Sequence, residues 1–452
     1  MAVLALMVRI GKTNAVAGWV ALGAFVFADP ARAQLATCDD AANVISGDAG
    51  ADAGPGTSAI LVVGPTASQG SDGAQTTVQA LAGMLGLSSR VYYVPWPSCT
   101  GLQSIVEAIP APTAAMLLST AGASNSQSCL VAGVPDVAVS DVYADTCTSG
   151  LLTAGQADLL GPVQTTTFVV PSGSSQKVIS ADAAYVVFGF GAGSVGPYTV
   201  SPWTDPTAIV VPNRSWGPIA LAGAGIGLVP NNWVGAKQSA ILTVSSEASG
   251  VAGKSSTGIG LLPAQAVVTG SGVKKLAYQH TAQQCGYLPD SDADHFDKIN
   301  VRDGRYALWG PLHFVFNVDG GGHPVDHTGH RNPALDAFVG LVVATGPYPQ
   351  TQASVEAGVT LASDAGAGLN ASQLQTVLEQ EAAGGLVPWC AMHVMRGKEV
   401  DAEGSYQPPQ PCNCAFEAAT GATVSPCFRC QSDSDCGIPA APTCRFGYCE
   451  AQ

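Results

Sequence analysis

Short apolar runs alternate along this chain with stretches whose apolar residues recur at helical spacing. Ala59–Val63 is a β-rich run closed by Gly64 and Pro65; Val91–Val94 and Val137–Val139 are runs of the same kind, and Ala114–Leu118 is a fourth. Between them Val78, Leu81, Ala82 and Leu85 mark a helix over Ala74–Leu85, and Leu102, Ile105, Val106 and Ile109 mark another over Thr100–Ile109. This β-α-β-α-β order predicts an open, mostly parallel sheet with helices on its faces. The grammar restarts near Thr166, with strands at Phe168–Val170, Ala208–Val211, Ile259–Leu262 and Val273–Tyr278 and helices at Ala181–Gly189 and Gly217–Gly227. From about Asp290 the chain reads as aromatic turns, a glycine- and histidine-rich loop, and helices over Pro333–Thr345 and Ala371–Ala383. The organisation expected is an α/β lobe over 57–165, a second over 166–289, a return to the first over 290–408, and a cysteine-rich tail over 409–452.

What precedes the first strand reads as export machinery. Arg9 and Lys12 lead into the apolar stretch Ala15–Ala28, and Ala31-Arg32-Ala33 stands before Gln34, the order of a cleavable signal peptide over 1–33. The stretch is short for a membrane span of about 20 residues. Residues 34–56, with Ser46–Gly56 rich in Gly, Ala and Asp, read as a flexible linker. Charged residues make up 11% of the chain and its net charge is −15. Cleavage after Ala33 removes three positive charges and one negative, leaving −17. Nucleic acid is therefore excluded as a main partner, because a phosphate backbone needs a basic face.

All thirteen cysteines lie after Ala33, where oxidising conditions favour disulfides. Seven fall within 38 residues, at C-x-C-x12-C-x2-C-x5-C-x7-C-x4-C from Cys412 to Cys449. Few apolar residues accompany them, so covalent staples must hold this tail. Zinc is the alternative, but only Cys427 and Cys430 have a knuckle spacing. Cys390 is a candidate eighth partner and Cys38 a candidate for the odd, unbridged or lipidated cysteine.

In open α/β sheets ligands sit at the carboxyl ends of strands, beside helix N-termini that hold anions without formal positive charge. Loops of small hydroxyl residues follow four of the expected strands: Gly64–Ser68, Pro97–Gly101, Ser140-Asp141 and Asn213–Gly217. Each alone is a weak signal, since Ser or Thr before a helix is usually just an N-cap. Their recurrence on successive strands is what suggests a shared anion site.

At these residues the chain resembles the periplasmic phosphate-binding proteins of ABC transporters, in a cysteine-rich branch. The segments that carry the resemblance are VVGPTAS, VYYVPWPSCTGLQSI, VAVSDVYADTC, TFVVPSGSSQ, SADAAYVVFGFG, PWTDPTAIVV, LAYQHTAQQCGYLPD and FDKINVRDGRYALWGPLHF, in that order between Ala59 and Arg396. The resemblance implies a two-lobed fold of two open α/β sheets with a hinge, closing on a ligand in the cleft. It implies anion contacts from Thr66, from Ser98, Thr100 and Gly101, from Asp141, and from Arg214, Ser215 and Gly217. The aspartate would accept a hydrogen bond from a protonated phosphate and repel sulfate. It further implies a periplasmic or cell-surface location, a small anion such as phosphate as ligand, an ABC permease as partner, no cofactor and no catalysis.

The Asn213–Gly217 loop departs from that pattern. Arg214 directly precedes Ser215, Trp216 is bulky, and Pro218 supplies neither hydroxyl nor N–H. Two lost donors to a charged ligand would weaken binding by about two to four decades. The alternative is thus an envelope structural or adhesive protein that keeps the fold without anion binding. A third reading comes from His323, His327 and His330, which with Asp319 and Asp326 could ligate a transition metal, although Gly320–Gly322 and Pro324 favour a solvated loop.

Overall fold

The computed structural model describes residues 58–65, 73–85, 89–111, 115–117, 127–129, 133–191, 199–211, 216–229, 232–234, 236–237, 244–254, 256–347, 369–422, 427–437 and 439–451. The expected signal peptide and linker lie outside them, as do Cys38, Thr66, Arg214 and Ser215. The chain begins with β1 (Ser58–Gly64), α1 (Gly73–Leu85), β2 (Ser89–Pro95), α2 (Ser98–Glu107), β3 (Ala115–Leu117), β4 (Gln127–Cys129), β5 (Val137–Ser140) and α3 (Ala144–Cys147). It continues through β6 (Gln156–Pro171), β7 (Val178–Ser180), α4 (Ala181–Phe190), β8 (Val210–Val211), α5 (Gly217–Ile226), β9 (Ala236–Lys237) and α6 (Val244–Ala252). Next come β10 (Gly260–Pro263), β11 (Val273–Lys275), β12 (Ala277–Gln279), α7 (Ile299–Arg302), β13 (Trp309–Val318), β14 (Pro324–Val325), α8 (Pro333–Thr345) and α9 (Ala371–Ala383). The hairpin strands β15 (Val394–Met395) and β16 (Gly404–Ser405), then α10 (Asn413–Ala419), β17 (Thr443–Arg445) and β18 (Tyr448–Glu450), complete it.

The result is a mixed α/β fold with a disulfide-stapled C-terminal region. The main sheet runs β10-β6-β13-β5-β1-β2-β3-β4, with β1 parallel to both β2 and β5. Strand β1 shows why its sequence is apolar throughout. Ile60 and Val62 pack with α1 and α8 on one face, through Val78, Leu81, Leu335 and Phe338. Leu61 and Val63 pack with α2 on the other, through Leu102 and Ile105. A strand covered on both faces reads as a continuous run rather than an alternation.

Strands β6 and β13 are the long elements, at 16 and 10 residues, and they join the regions expected to form separate sheets. Ala157 and Leu159 of β6 belong to the core under α1 and α8, whereas Phe168 and Val170 belong to the large core with α4 and α5. Likewise β13 gives Phe314 and Phe316 to the first core and Trp309 to the large one. The expectation of aromatic turns here is corrected: Trp309–Val318 is a central strand antiparallel to both β5 and β6. Gly310 and Pro311 disguise it, yet the register shifts between Pro311 and His313, so Gly161 and Pro162 of β6 face Leu312 alone. Proline is tolerated at such a bulge. The segment after α9 docks there: Val163 and Val387 exchange backbone hydrogen bonds of 2.8 Å, and Trp389 Nε1 donates to the Gly161 carbonyl at 2.6 Å.

The expected strand Val273–Tyr278 is two: β11 pairs with β6, and β12 turns away to pair with β7. The tail is stapled by Cys390–Cys412, Cys414–Cys427, Cys430–Cys444 and Cys436–Cys449, with Cys390 as the eighth partner. Its first helix is also docked by packing, with Phe416 fully buried in the large core. Buried Arg302 adds polar anchoring, donating to Glu417 at 2.6 Å, to the Asn413 side-chain oxygen at 2.7 Å and to the Ala391 carbonyl at 3.0 Å. Cys285 is unbridged and exposed. No helix among them is long and apolar enough to cross a membrane.

The bulge yields a stability prediction. A Cβ at position 161 would lie 2.4 Å from Phe314 Cε2, a ring locked in the core. Gly161→Ala is expected to destabilise by about 1–3 kcal/mol, the range for overpacking. Urea unfolding measures it; an unchanged midpoint would show that the bulge is not held in this geometry.

Candidate functional site

The site is built where β5 ends. Ser140 and Asp141 leave the sheet in a turn that the Ser140 hydroxyl closes, donating to the Val142 carbonyl at 2.7 Å. Asp141 then points at α2. Its N–H donates to Ser98 Oγ at 3.2 Å, and that hydroxyl donates onward to Asp141 Oδ2 at 3.4 Å. Ser98 is the first residue of α2, so the carboxylate faces the positive end of a helix. The Cys99–Cys147 disulfide ties that helix end to α3, three residues beyond the Asp141 turn, across a sequence separation of 48. Tyr143 and Thr146 in turn donate to buried Glu399, at 2.7 Å each.

A second helix end reaches the same carboxylate. Gly217 is the first residue of α5, and a Cβ there would lie 2.3 Å from Asp141 Cβ and 2.5 Å from Oδ2. Glycine is required by this close approach, which a side chain would prevent. Pro218 follows in the first turn, where its missing N–H costs the helix nothing. Trp216 does not fill this contact; it packs half-buried against the Val169, Val210 and Leu262 cluster.

Of the residues singled out in the sequence, Ser98, Asp141 and Gly217 are brought together. Gly101 has another use. Its N–H bonds to the Pro97 carbonyl at 2.8 Å, and a Cβ on it would touch Val63 at 3.4 Å, so it seats α2 on the sheet. Thr100 is half-buried in the first turn of α2. Thr66, Arg214 and Ser215 fall outside the described residues. Two residues that no motif flagged complete the surroundings. Gln164 of β6 donates from Nε2 to the Asp141 carbonyl at 3.2 Å. His313 of β13 is fully buried, paired with Asp158 at 2.9 Å and edge-on to Tyr143.

Burial pushes the Asp141 carboxyl up to about 6, an effect that Gln164, Ser98 and the charge of His313 reduce only in part. Its Oδ1 is buried with no hydrogen-bond partner among the described residues. At neutral pH this is an ionised acceptor with a free lone pair, held at two helix N-termini. It suits a ligand that carries both negative charge and an acidic proton.

Among the described residues the histidine loop does not gather three potential metal-ligand atoms within reach of one another. Asp319 accepts from the Gly321 and His323 amides and Asp326 from the Thr328 and His330 amides, so the aspartates shape turns. Among the described residues the one group of potential metal ligands within reach of one another is Cys430, Cys436 and Cys449. Those sulfurs are committed to disulfides.

The Asp141 environment has a pH signature. Because folding raises this carboxyl from 3.8 to about 6, ionisation favours the unfolded chain; the cost is absent below about pH 4 and complete above about pH 6. Asp141→Asn is expected to be more stable than the parent at pH 7.5, by up to about 3 kcal/mol, with the gap closing by pH 4. Paired urea titrations at the two pH values test this; a destabilised variant at pH 7.5 would mean the carboxylate is fully satisfied in the fold.

Neither a protein-family model nor a curated protein sequence matches the chain. Solved structures do resemble it in fold. One is described as a possible phosphate binding protein from Planctomyces limnophilus, 11% identical, covering 73% of this chain and 99% of its own, with a TM-score of 0.39. A Clostridium perfringens protein assigned as a phosphate ABC transporter substrate-binding protein, solved with bound phosphate, is 10% identical over 73% of this chain and 99% of its own, at 0.44. An ABC-type phosphate transport receptor from Vibrio cholerae is 13% identical over 58% of this chain and 88% of its own, at 0.37.

Proposed function

We propose that this chain is an extracytoplasmic solute-binding protein that takes a small, protonated oxyanion, phosphate or a close relative, at Asp141 between the N-termini of α2 and α5, and passes it to an ABC-type permease. The observation that carries this reading is the unpartnered, buried Oδ1 of Asp141 beside Ser98 and Gly217. A structural carboxylate buried this deeply would be expected to have its acceptors filled. Helix ends and a hydroxyl supply the attraction, and the carboxylate supplies the selection, since sulfate has no proton to offer it at neutral pH. Thr66, Arg214 and Ser215 are the further contacts proposed. The chain would bind two lobes together around the solute, over 57–165 with 290–408 and over 166–289, and would act without catalysis or cofactor.

One observation favours a second reading, an envelope structural or adhesive protein that has lost anion binding. Asp141 already lies against Gly217, so the chain's own carboxylate stands at the α5 N-terminus where an anion would be held. Pro218 removes a donor from the same turn.

Calorimetric titration separates the two. A binding protein is expected to take phosphate with micromolar affinity or better and to prefer it over sulfate by about a hundredfold at pH 7.5. Asp141→Asn should narrow that preference at least tenfold. Sulfate affinity should rise as pH falls through about 6, where Asp141 gains a proton and becomes a donor. No heat at millimolar phosphate would leave the structural reading.

A further inference from the structure

A cavity of about 350 Å³ lies far along the chain from Asp141, between the end of α8, one face of α9, the segment at Pro388, the run at Tyr406 and the tail hairpin at Phe446. Leu374, Leu378, Pro388, Tyr406 and Phe446 make its walls largely apolar. Into this lining α9 places Glu381, 2% exposed, with Oε1 lacking any hydrogen-bond partner among the described residues. An acidic group in an apolar wall is costly unless something pairs with it. We propose that the cavity is a ligand site for a small organic cation, a protonated primary amine seated on the Glu381 carboxylate with an aliphatic or aromatic body filling the apolar walls.

Three features favour a cation over a neutral guest. An ammonium group supplies charge and hydrogen bonds together, which is what a desolvated carboxylate lacks. Aromatic rings at Tyr406 and Phe446 add surfaces suited to a cation or its apolar body. The chain's net charge of −15 draws cations toward it. The volume is near the lower end of the roughly 300–1,000 Å³ usual for ligand pockets. The site shares no residue with the proposed oxyanion site, so either can fail alone.

Glu381 is the group in the lining that titrates near neutrality, its carboxyl pushed up to about 8 by burial. Tyr406 is pushed up to about 12, and Cys390 is held in a disulfide. Helix α1, packed on α9, carries no charged residue, and Glu417 of α10 is paired with Arg302. Amine binding needs the carboxylate ionised, so affinity should fall as pH drops below about 8 while the amine stays protonated.

The test is calorimetric titration of the full chain with phenethylammonium, with neutral 2-phenylethanol as control. At pH 8.5 the amine is expected to bind at least tenfold more tightly than the alcohol, and at pH 6.5 to lose about tenfold or more. Glu381→Gln should remove the amine's advantage and its pH dependence while keeping the alcohol's affinity. Leu374→Trp, which fills the cavity from a partly exposed position, should abolish both. Equal affinities for amine and alcohol, an amine titration indifferent to pH or to Glu381→Gln, or no saturable heat at 10 mM amine would overturn the proposal. Should Glu381→Gln fail to fold, the pH profile of the parent chain decides by the same criterion.

Discussion

The pairing of β6 with β13 is the constraint on which the rest depends. Two long antiparallel strands take part in both large cores, so a residue on either strand is fixed by packing at both ends. The bulge at Gly161 and Pro162 sets the register between them. That register aligns Gln164 with Gly310, and His313 with Ser140. Asp141 thus emerges into a space already walled by β6 and β13, where its carbonyl oxygen lies 3.7 Å from the place of a Cβ on Gly310, an ordinary contact.

The strands that read clearly from sequence are those covered by helices on both faces. In β1, in β5 and over Val91–Val94 of β2 the interior positions are apolar and buried, so the runs stand out. The helices α1, α4, α5, α8 and α9 were equally visible, because glycine, proline or asparagine marks their ends: Asn332 and Asn370 both cap with their side chains. What escaped notice was the first two thirds of β6 and all of β13. Their Gly-Pro pairs, Gly161-Pro162 and Gly310-Pro311, are ordinarily turn signals. Here a third chain segment docks on the bulge and uses the freed backbone groups, a tertiary fact that no local pattern encodes.

The site divides in the same way. Ser98, Asp141 and Gly217 were legible because each ends a strand or starts a helix, where small polar residues have a local reason to stand. Gln164 was not, since a glutamine inside a strand carries no motif and gains its role only from the register. Gly101 drew attention for its place in a glycine-containing turn, yet serves packing. The cysteines show a further limit: the number and the identity of the paired tail residues followed from spacing, while the connectivity required coordinates.

The distribution of charge explains why an anion site here would be made from backbone and hydroxyls. The buried cations are already spent on internal partners: Lys275 and Lys298 on Asp290, and Arg302 on Glu417. Arg396 is covered by the Trp309 ring at 4.0 Å and donates to the carbonyls of Ala307 and Trp309. The buried carboxylates of Asp136, Asp141, Glu381 and Glu450 have no such neutralisation and are all raised by burial. Asp141 differs from Asp136 and Glu450 in what surrounds it. Asp136 accepts from the Leu61 amide and Glu450 from the Ala415 amide, roles that hold loops in place. Asp141 takes no backbone amide among the described residues; the Ser98 hydroxyl reaches Oδ2 at 3.4 Å, Oδ1 has no partner among them, and the group sits against two helix ends, so its carboxylate is the least committed of the three. A guest anion would have to share those helix ends with it, and sharing is favourable only when a proton lies between the two negative groups. The same crowding that makes a charged Asp141 costly is therefore what would make such a site selective.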